Sequence, residues 1–158
     1  MIEDSPFIAQ RIIPVYKIGL YGGTFDPPHL GHLVSAQALA DELGLDQVIF
    51  IPSGSPPHKM DHAISPAEHR LQMLHRAAAD NPRFQIDEWE LRQAAPTYTY
   101  NTVLHFKARY PDAVLYWLIG LDSLRDLPSW HRFDELIEII TIATAWRGGL
   151  EIEPILAD

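Results

Sequence analysis

Two glycines and two histidines lie close together near the start of the sequence. The segment 22–32 reads GGTFDPPHLGH, between a predicted strand at 18–21 and a helical pattern that runs from His32 to Leu43. Glycine lets the backbone approach a phosphate closely, and the free amides at a helix start donate hydrogen bonds to anions. In an open parallel sheet, ligands bind at such strand-to-helix junctions. The segment therefore predicts an anion-binding loop, with His29 and His32 on one side of the first helical turn.

Other interpretations of this loop stay open at this point. The histidines could be zinc ligands, although the sequence has no cysteine and no obvious third ligand nearby. They could also be exposed residues that cap the helix, and the glycine pair alone could be a tight turn. The combination of both glycines with both histidines favours phosphate binding.

Four further segments place polar or aromatic residues next to predicted strands or helix starts. They are PPHK at 56–59, PTYT at 96–99, GLDS at 120–123 and LPSWH at 127–131.

Each segment has a chemical use and a plainer alternative. Lys59 could neutralise a phosphate or be a solvated loop lysine, and Thr99 could meet an anion or simply begin a helix. Trp130 could stack on a ring or anchor the packing. Gly120 permits close approach to a strand end, where the Asp122 carboxylate could accept ribose hydroxyls or hold a hydrated magnesium ion.

Other charged residues carry no predicted chemistry. We expect Glu88, Glu90 and Arg92, around Trp89, to form a solvated surface. Four histidines lack convergent partners in the sequence and are also expected at the surface: His62, His69, His75 and His105.

Short apolar runs alternate with helical patterns, which predicts an α/β fold: a Rossmann-like open parallel sheet with helices on both faces. The expected strands are 18–21, 47–51, 84–86, 114–119 and 140–145. Besides the first helix, helices are expected from Pro66 to Ala79, at 99–110, 124–127 and 133–139. Ser65, Pro66 and Glu68 predict a capping box at the start of the second helix, and Gly44 a C-cap at the end of the first.

Composition narrows the class of protein. The chain has 158 residues, which suits one domain, and no cysteine, which excludes disulfides and thiolate chemistry. The formal charge of −9 argues against a nucleic-acid partner. No run approaches the roughly 20 apolar residues of a membrane span, and no signal peptide is evident, so we expect a cytoplasmic protein without a membrane partner.

The loop resembles the (T/S)-F-D-P-x-H-x-G-H signature of the HxGH nucleotidylyltransferase superfamily. Together with the four further segments, in this order, it resembles the bacterial nicotinate-nucleotide adenylyltransferases, from about Lys17 to about Arg147. The resemblance implies a nucleotidylyltransferase-type fold and condensation of ATP with nicotinate mononucleotide, assisted by Mg²⁺, to give deamido-NAD and pyrophosphate in NAD biosynthesis.

The resemblance also assigns residues. His29 and His32 would be catalytic, and no side chain is assigned as a direct metal ligand. ATP would be bound by Gly22, Gly23, Thr24, Phe25, His29, His32, Gly120 and Asp122. Nicotinate mononucleotide would be bound by Lys59, Thr99, Trp130 and His131.

The sequence departs from this family at its end. We expect an N-terminal extension at 1–16 and a nucleotidylyltransferase domain at 17–158 that is truncated or unusually short. It lacks the Ile-Ser-Ser-Thr-x-Ile-Arg segment, which supplies further triphosphate contacts in the family. Two alternatives therefore stay open: a sister adenylyltransferase acting on a substrate such as phosphopantetheine, and a nucleotide-binding remnant without turnover. The sequence predicts neither the oligomeric state nor the strength of preference for the acid over the amide.

Overall fold

The computed structural model describes residues 15–54 and 64–145, in which strands and helices alternate as the sequence predicts. The strands are β1 (Lys17–Gly23), β2 (Gln47–Pro52), β3 (Phe84–Ile86), β4 (Val114–Ile119) and β5 (Thr141–Thr144). The α-helices are α1 (Leu30–Leu43), α2 (Ala67–Ala78), α3 (Thr99–Arg109) and α4 (Phe133–Ile139). Two 3₁₀ segments span Glu90–Arg92 and Leu121–Ser129.

All neighbouring strands of the sheet are parallel, in the order β3-β2-β1-β4-β5. The chain passes from β1 to β2 on one side, whereas β4 pairs with the other edge of β1. This is a topological switch point, where a crevice opens at the carboxyl ends of the two strands. The first anion-binding candidate, at the end of β1, and Gly120, directly after β4, therefore come to the same edge of the sheet.

Helices cover both faces of the sheet, as predicted. Side chains of a strand alternate between its faces, so Ile49 packs in one core cluster and Phe50 in the other. The first cluster includes Val103 and Phe106 of α3 and Leu136 of α4. The second contains residues of α1 and α2. The predicted α/β architecture is thus confirmed.

The end of α1 agrees with the sequence prediction. Gly44 has φ 62°, in the left-handed region, and its N–H donates to the carbonyl of Ala40. Glycine adopts this conformation without a steric penalty, which is why it ends helices so often.

The start of α2 differs from the prediction. The helix begins at Ala67, with Pro66 at the N-cap position, and no side-chain capping hydrogen bond forms, so the predicted capping box was wrong. The backbone of Ser65 serves tertiary contacts instead: its N–H donates to Asp26, and its carbonyl accepts from Arg70.

The segment after β4 also differs in type. The expected short helix at 124–127 is part of the longer 3₁₀ segment Leu121–Ser129, which contains Pro128. Proline lacks the amide that a continuing α-helix would need, so an α-helical ladder cannot extend through this segment.

No helix within residues 15–54 and 64–145 is long and apolar enough to cross a membrane.

Candidate functional site

A cleft of about 980 Å³ opens at the carboxyl ends of β1 and β4. It brings together most of the residues singled out in the sequence: Gly22, Gly23, Thr24, His29, His32, Thr99, Gly120, Asp122, Trp130 and His131. Phe25 does not line it, and Lys59 falls outside the described residues. The loop at 22–32, the start of α3 and the segment 120–131 therefore line one shared cleft.

The two histidines interact directly at the N-terminus of α1. The backbone N–H of His29 donates a hydrogen bond to Nδ1 of the His32 ring over 3.1 Å. The two imidazole rings also stack, with centroids 3.7 Å apart. Because Nδ1 accepts this hydrogen bond, a neutral His32 carries its proton on Nε2. The loop backbone thus selects the tautomer of His32 whose Nε2–H can donate to an anion.

The ring of His32 packs against two aromatic residues, Tyr21 and Phe25. Phe25 is 2% exposed and meets the His32 ring edge-on at 5.1 Å, while Tyr21 meets it at 6.0 Å. Phe25 reaches this position through φ 49°, a left-handed conformation that is uncommon outside glycine. The side chain of Phe25 is therefore placed to hold His32, and its predicted contact with ATP stays a prediction for its backbone alone.

Two glycines of the cleft lie where a side chain would collide with a neighbour. A Cβ atom on Gly22 would come within 2.6 Å of the buried Trp117 ring. A Cβ atom on Gly120 would come within 2.5 Å of the Asp122 carboxylate, which folds back over it. Glycine at position 22 thus makes room for the Trp117 ring and glycine at position 120 for the Asp122 carboxylate, and both glycines line the cleft.

Aromatic rings line the opposite end of the cleft. Tyr98, at the N-cap of α3, stacks on His131 with ring centroids 4.4 Å apart. Trp130 packs against the core and lines the cleft at the same time, so its two sequence-based interpretations are compatible. Thr99 opens α3 beside them.

A buried arginine connects the loop to the rest of the fold, and the sequence analysis missed it. Arg70 of α2 is 1% exposed and donates to three carbonyls: Thr24 (2.8 Å), Ser65 (3.0 Å) and Gly54 (3.5 Å). Burial lowers the pKa of Arg70, and the negative charge of Asp26 opposes that shift. Nothing in the helical pattern around position 70 indicated this role, because its partners lie in other segments.

The prediction of a solvated surface for Glu88, Glu90 and Arg92 was only partly correct. Arg92 and Glu88 form a largely exposed ion pair, but Glu90 is 7% exposed and lines the cleft, so its assignment to a solvated surface was wrong. The hydroxyl of Thr102 donates to Glu90 over 2.5 Å. Burial raises the pKa of Glu90 to about 7, although the hydrogen bond from Thr102 acts in the opposite direction. The 3₁₀ turn after β3 carries Glu90 inward, whereas Trp89 and Leu91 are half-buried and Arg92 is exposed.

A second prediction about this region was wrong as well. His105 has a partner: its ring stacks on Trp89 at 4.3 Å, with 11° between the planes. His69 and His75 are exposed, as expected, and His62 lies outside the described residues.

The burial of Glu90 predicts a pH dependence of stability. Its folded-state pKa of about 7 lies above its ordinary value of 4.5, so folding disfavours the ionised form. The contribution of Glu90 to stability is thus greatest below pH 4.5 and is lost as the pH rises to about 7. We expect the free energy of unfolding to fall by about 3 kcal/mol relative to that of Glu90→Gln between these limits. Urea unfolding of the unmodified chain and of Glu90→Gln between pH 4.5 and about 7 tests this prediction. Free energies of unfolding that change in parallel with pH in the two proteins would contradict it.

Within the described ranges, no group of three or more histidine or carboxylate side chains could hold a metal ion. Three carboxylate side chains line the cleft, those of Glu90, Asp122 and Asp126.

An open parallel sheet with a glycine- and histidine-containing loop at its switch point is the arrangement typical of nucleotide-binding α/β domains. Residues 20–149 match the model of the family described as Cytidylyltransferase-like. The chain belongs to this family.

Two of its curated relatives are named as nicotinate-nucleotide adenylyltransferases. A protein of Geobacillus thermodenitrificans named "Probable nicotinate-nucleotide adenylyltransferase" is 47% identical over 87% of this chain and 63% of its own length. The nicotinate-nucleotide adenylyltransferase of Bacillus subtilis is 41% identical over 87% of this chain and 72% of its own length. The chain thus spans 63 to 72% of these relatives.

Solved structures share the fold. The nicotinic acid mononucleotide adenylyltransferase of Plasmodium falciparum, complexed with APC, aligns with a TM-score of 0.73 at 21% identity, covering 90% of this chain and 70% of that one. A structure of the same enzyme complexed with NaAD gives a TM-score of 0.68 at 16% identity and covers 87% and 78%.

Proposed function

We propose that this chain transfers the adenylyl group of ATP to nicotinate mononucleotide, giving deamido-NAD and pyrophosphate. The observation that carries the proposal is the continuity of the cleft, which runs from the histidine loop to Thr99, Trp130 and His131. The names of the relatives and their identity of up to 47% support the choice of substrates.

ATP occupies the end of the cleft formed by the loop. The backbone at Gly22, Gly23 and Thr24 and the N-terminus of α1 receive its phosphates, and Gly120 and Asp122 receive its ribose. His32 donates from Nε2 to the α-phosphate, and His29 contacts the phosphate chain.

The reaction is a direct displacement. An oxygen of the 5′-phosphate of nicotinate mononucleotide forms a bond to the α-phosphorus of ATP, and the bond from that phosphorus to the bridging oxygen of pyrophosphate breaks. The attacking phosphate is already anionic, so no general base is needed. The residues of the loop act by alignment and by stabilising charge on the phosphate oxygens.

Nicotinate mononucleotide occupies the other end. The pyridine ring stacks on Trp130, its carboxylate meets the helix start at Thr99 and the amide of His131, and Lys59 neutralises the mononucleotide phosphate.

The proposed reaction also includes magnesium, as an ion that accompanies ATP. Bound to the triphosphate, it would neutralise charge on the departing pyrophosphate. Both substrates are water-soluble metabolites, so we place the reaction in the cytoplasm.

A pyrophosphate-release assay tests the function. The 158-residue chain, with ATP and Mg²⁺, is incubated with nicotinate mononucleotide, nicotinamide mononucleotide or phosphopantetheine, and ATP alone serves as the control. We expect release with nicotinate mononucleotide and much less with the amide. No release with nicotinate mononucleotide would contradict the proposal, and release with phosphopantetheine alone would assign the sister reaction.

A further inference from the structure

Glu90 is a buried carboxyl group in the wall of the cleft, and the proposed adenylyl transfer does not use it. It is 7% exposed and belongs to the 3₁₀ segment Glu90–Arg92, before α3. A carboxyl group is costly to bury, so its place in the cleft wall calls for a structural or functional reason.

The side chain of Glu90 reaches the first turns of α3. Its carboxylate accepts a hydrogen bond from the hydroxyl of Thr102, a residue with no exposed surface. The same hydroxyl lies 3.4 Å from the carbonyl of Tyr98. That carbonyl also accepts the amides of Asn101 and Thr102 at the helix start. Glu90 is therefore connected through the Thr102 hydroxyl to Tyr98, the N-cap residue of α3.

The backbone of Glu90 is held from the opposite side. A Cβ atom on Gly54 would come within 2.6 Å of the Glu90 carbonyl oxygen, so the segment after β2 packs directly on it. Glu90 thus lies between the end of β2 and α3, which fixes the distance between them.

The beginning of α3 is the part of the helix that faces the cleft. Tyr98 and Thr99 both line it, and the Tyr98 ring stacks on His131, which lines the cleft as well. A shift of this turn would therefore move a helix start and an aromatic pair together, without moving the histidine loop on β1 and α1.

We propose that Glu90 is a positioning residue for the mononucleotide end of the cleft, and that it acts through Thr102 on Tyr98 and Thr99. The proposal deepens the proposed function and rests on it for the identity of the substrate. Glutamine can accept the same hydrogen bond with nearly the same shape, whereas alanine removes it and leaves Thr102 with the more distant carbonyl alone.

Steady-state kinetics with ATP and nicotinate mononucleotide test the proposal. For Glu90→Ala we expect the KM for nicotinate mononucleotide to rise about 10-fold, with kcat and the KM for ATP changing less than about 3-fold. For Glu90→Gln we expect the KM for nicotinate mononucleotide to stay close to that of the unmodified chain. Glu88→Ala, which removes a surface ion pair in the same stretch, is the matched control and should behave as the unmodified chain.

Three kinetic results would overturn the proposal. They are an unchanged KM for nicotinate mononucleotide in Glu90→Ala, an equal rise in both KM values, and a glutamine variant as impaired as the alanine variant. Thermal unfolding of each variant shows that the comparison is made on folded protein.

Hydrogen exchange separates this proposal from the proposed function. In Glu90→Ala, amides at 99–103 should exchange faster than in Glu90→Gln, while those of α1 are unchanged. If the unmodified chain gives no turnover, the proposed function fails, and the exchange result alone decides whether Glu90 positions α3. Equal exchange at 99–103 in both variants would overturn the positioning role.

Discussion

Replacement of His32 by alanine should lower kcat for adenylyl transfer by about 10²–10³-fold while the chain remains folded. The substitution removes the Nε2–H donor whose tautomer the His29 amide selects. It also removes an edge-on contact with Phe25, worth about 1 kcal/mol of stability, which the rest of the core tolerates.

The measurement is pyrophosphate release at saturating ATP and nicotinate mononucleotide, with unfolding followed in parallel. His69→Ala is the matched control, because His69 is exposed on α2 and away from the cleft. A His32→Ala protein that turns over at more than about a tenth of the normal rate would remove His32 from the proposed mechanism.

Replacement of Arg70 by methionine should lower the free energy of unfolding by about 3–5 kcal/mol, because three carbonyls lose a charged donor. The variant keeps much of the side-chain volume but removes the guanidinium that donates to the carbonyls of Thr24, Ser65 and Gly54, together with its positive charge, which interacts with Asp26. Lysine should recover only part of the loss, because one ammonium group cannot reproduce the planar fork that reaches three carbonyls.

Urea unfolding measures this loss, and Arg76→Met provides the comparison on the same helix. Arg76 is exposed, so its replacement should change stability by no more than about 0.5 kcal/mol. A loss below about 1 kcal/mol in Arg70→Met would show that the three carbonyls are satisfied without the guanidinium.

The sequence predicted correctly those strands and helix ends that depend only on residues close together in the chain. The apolar run at Val114–Ile119 forms a strand with those bounds, and Gly44 ends α1 as expected, because side-chain burial and backbone conformation act within a few residues. The loop at 22–32 could be singled out for the same reason, since its glycines and histidines are near one another in the chain.

The residues that were missed or misassigned depend on distant partners. Arg70 bonds to a carbonyl 46 positions away, and Ser65 donates to Asp26 across 39 positions instead of capping its own helix. Glu90 looked like one charge among several until the turn after β3 carried it against Thr102. No periodicity or composition signal reports such pairings.

The sequence by itself determined the alternation of strands and helices, the close spacing of glycines and histidines in the loop after β1, and the family resemblance that this loop carries. These follow from propensities, periodicity and close spacing, which act along the chain. Only the tertiary structure decided that the ends of β1 and β4 meet in one cleft, that Arg70 anchors the loop, and that Glu90 is buried beside α3. Such contacts arise when the sheet brings remote segments together, because burial then makes each polar group find whichever partner lies near it in space.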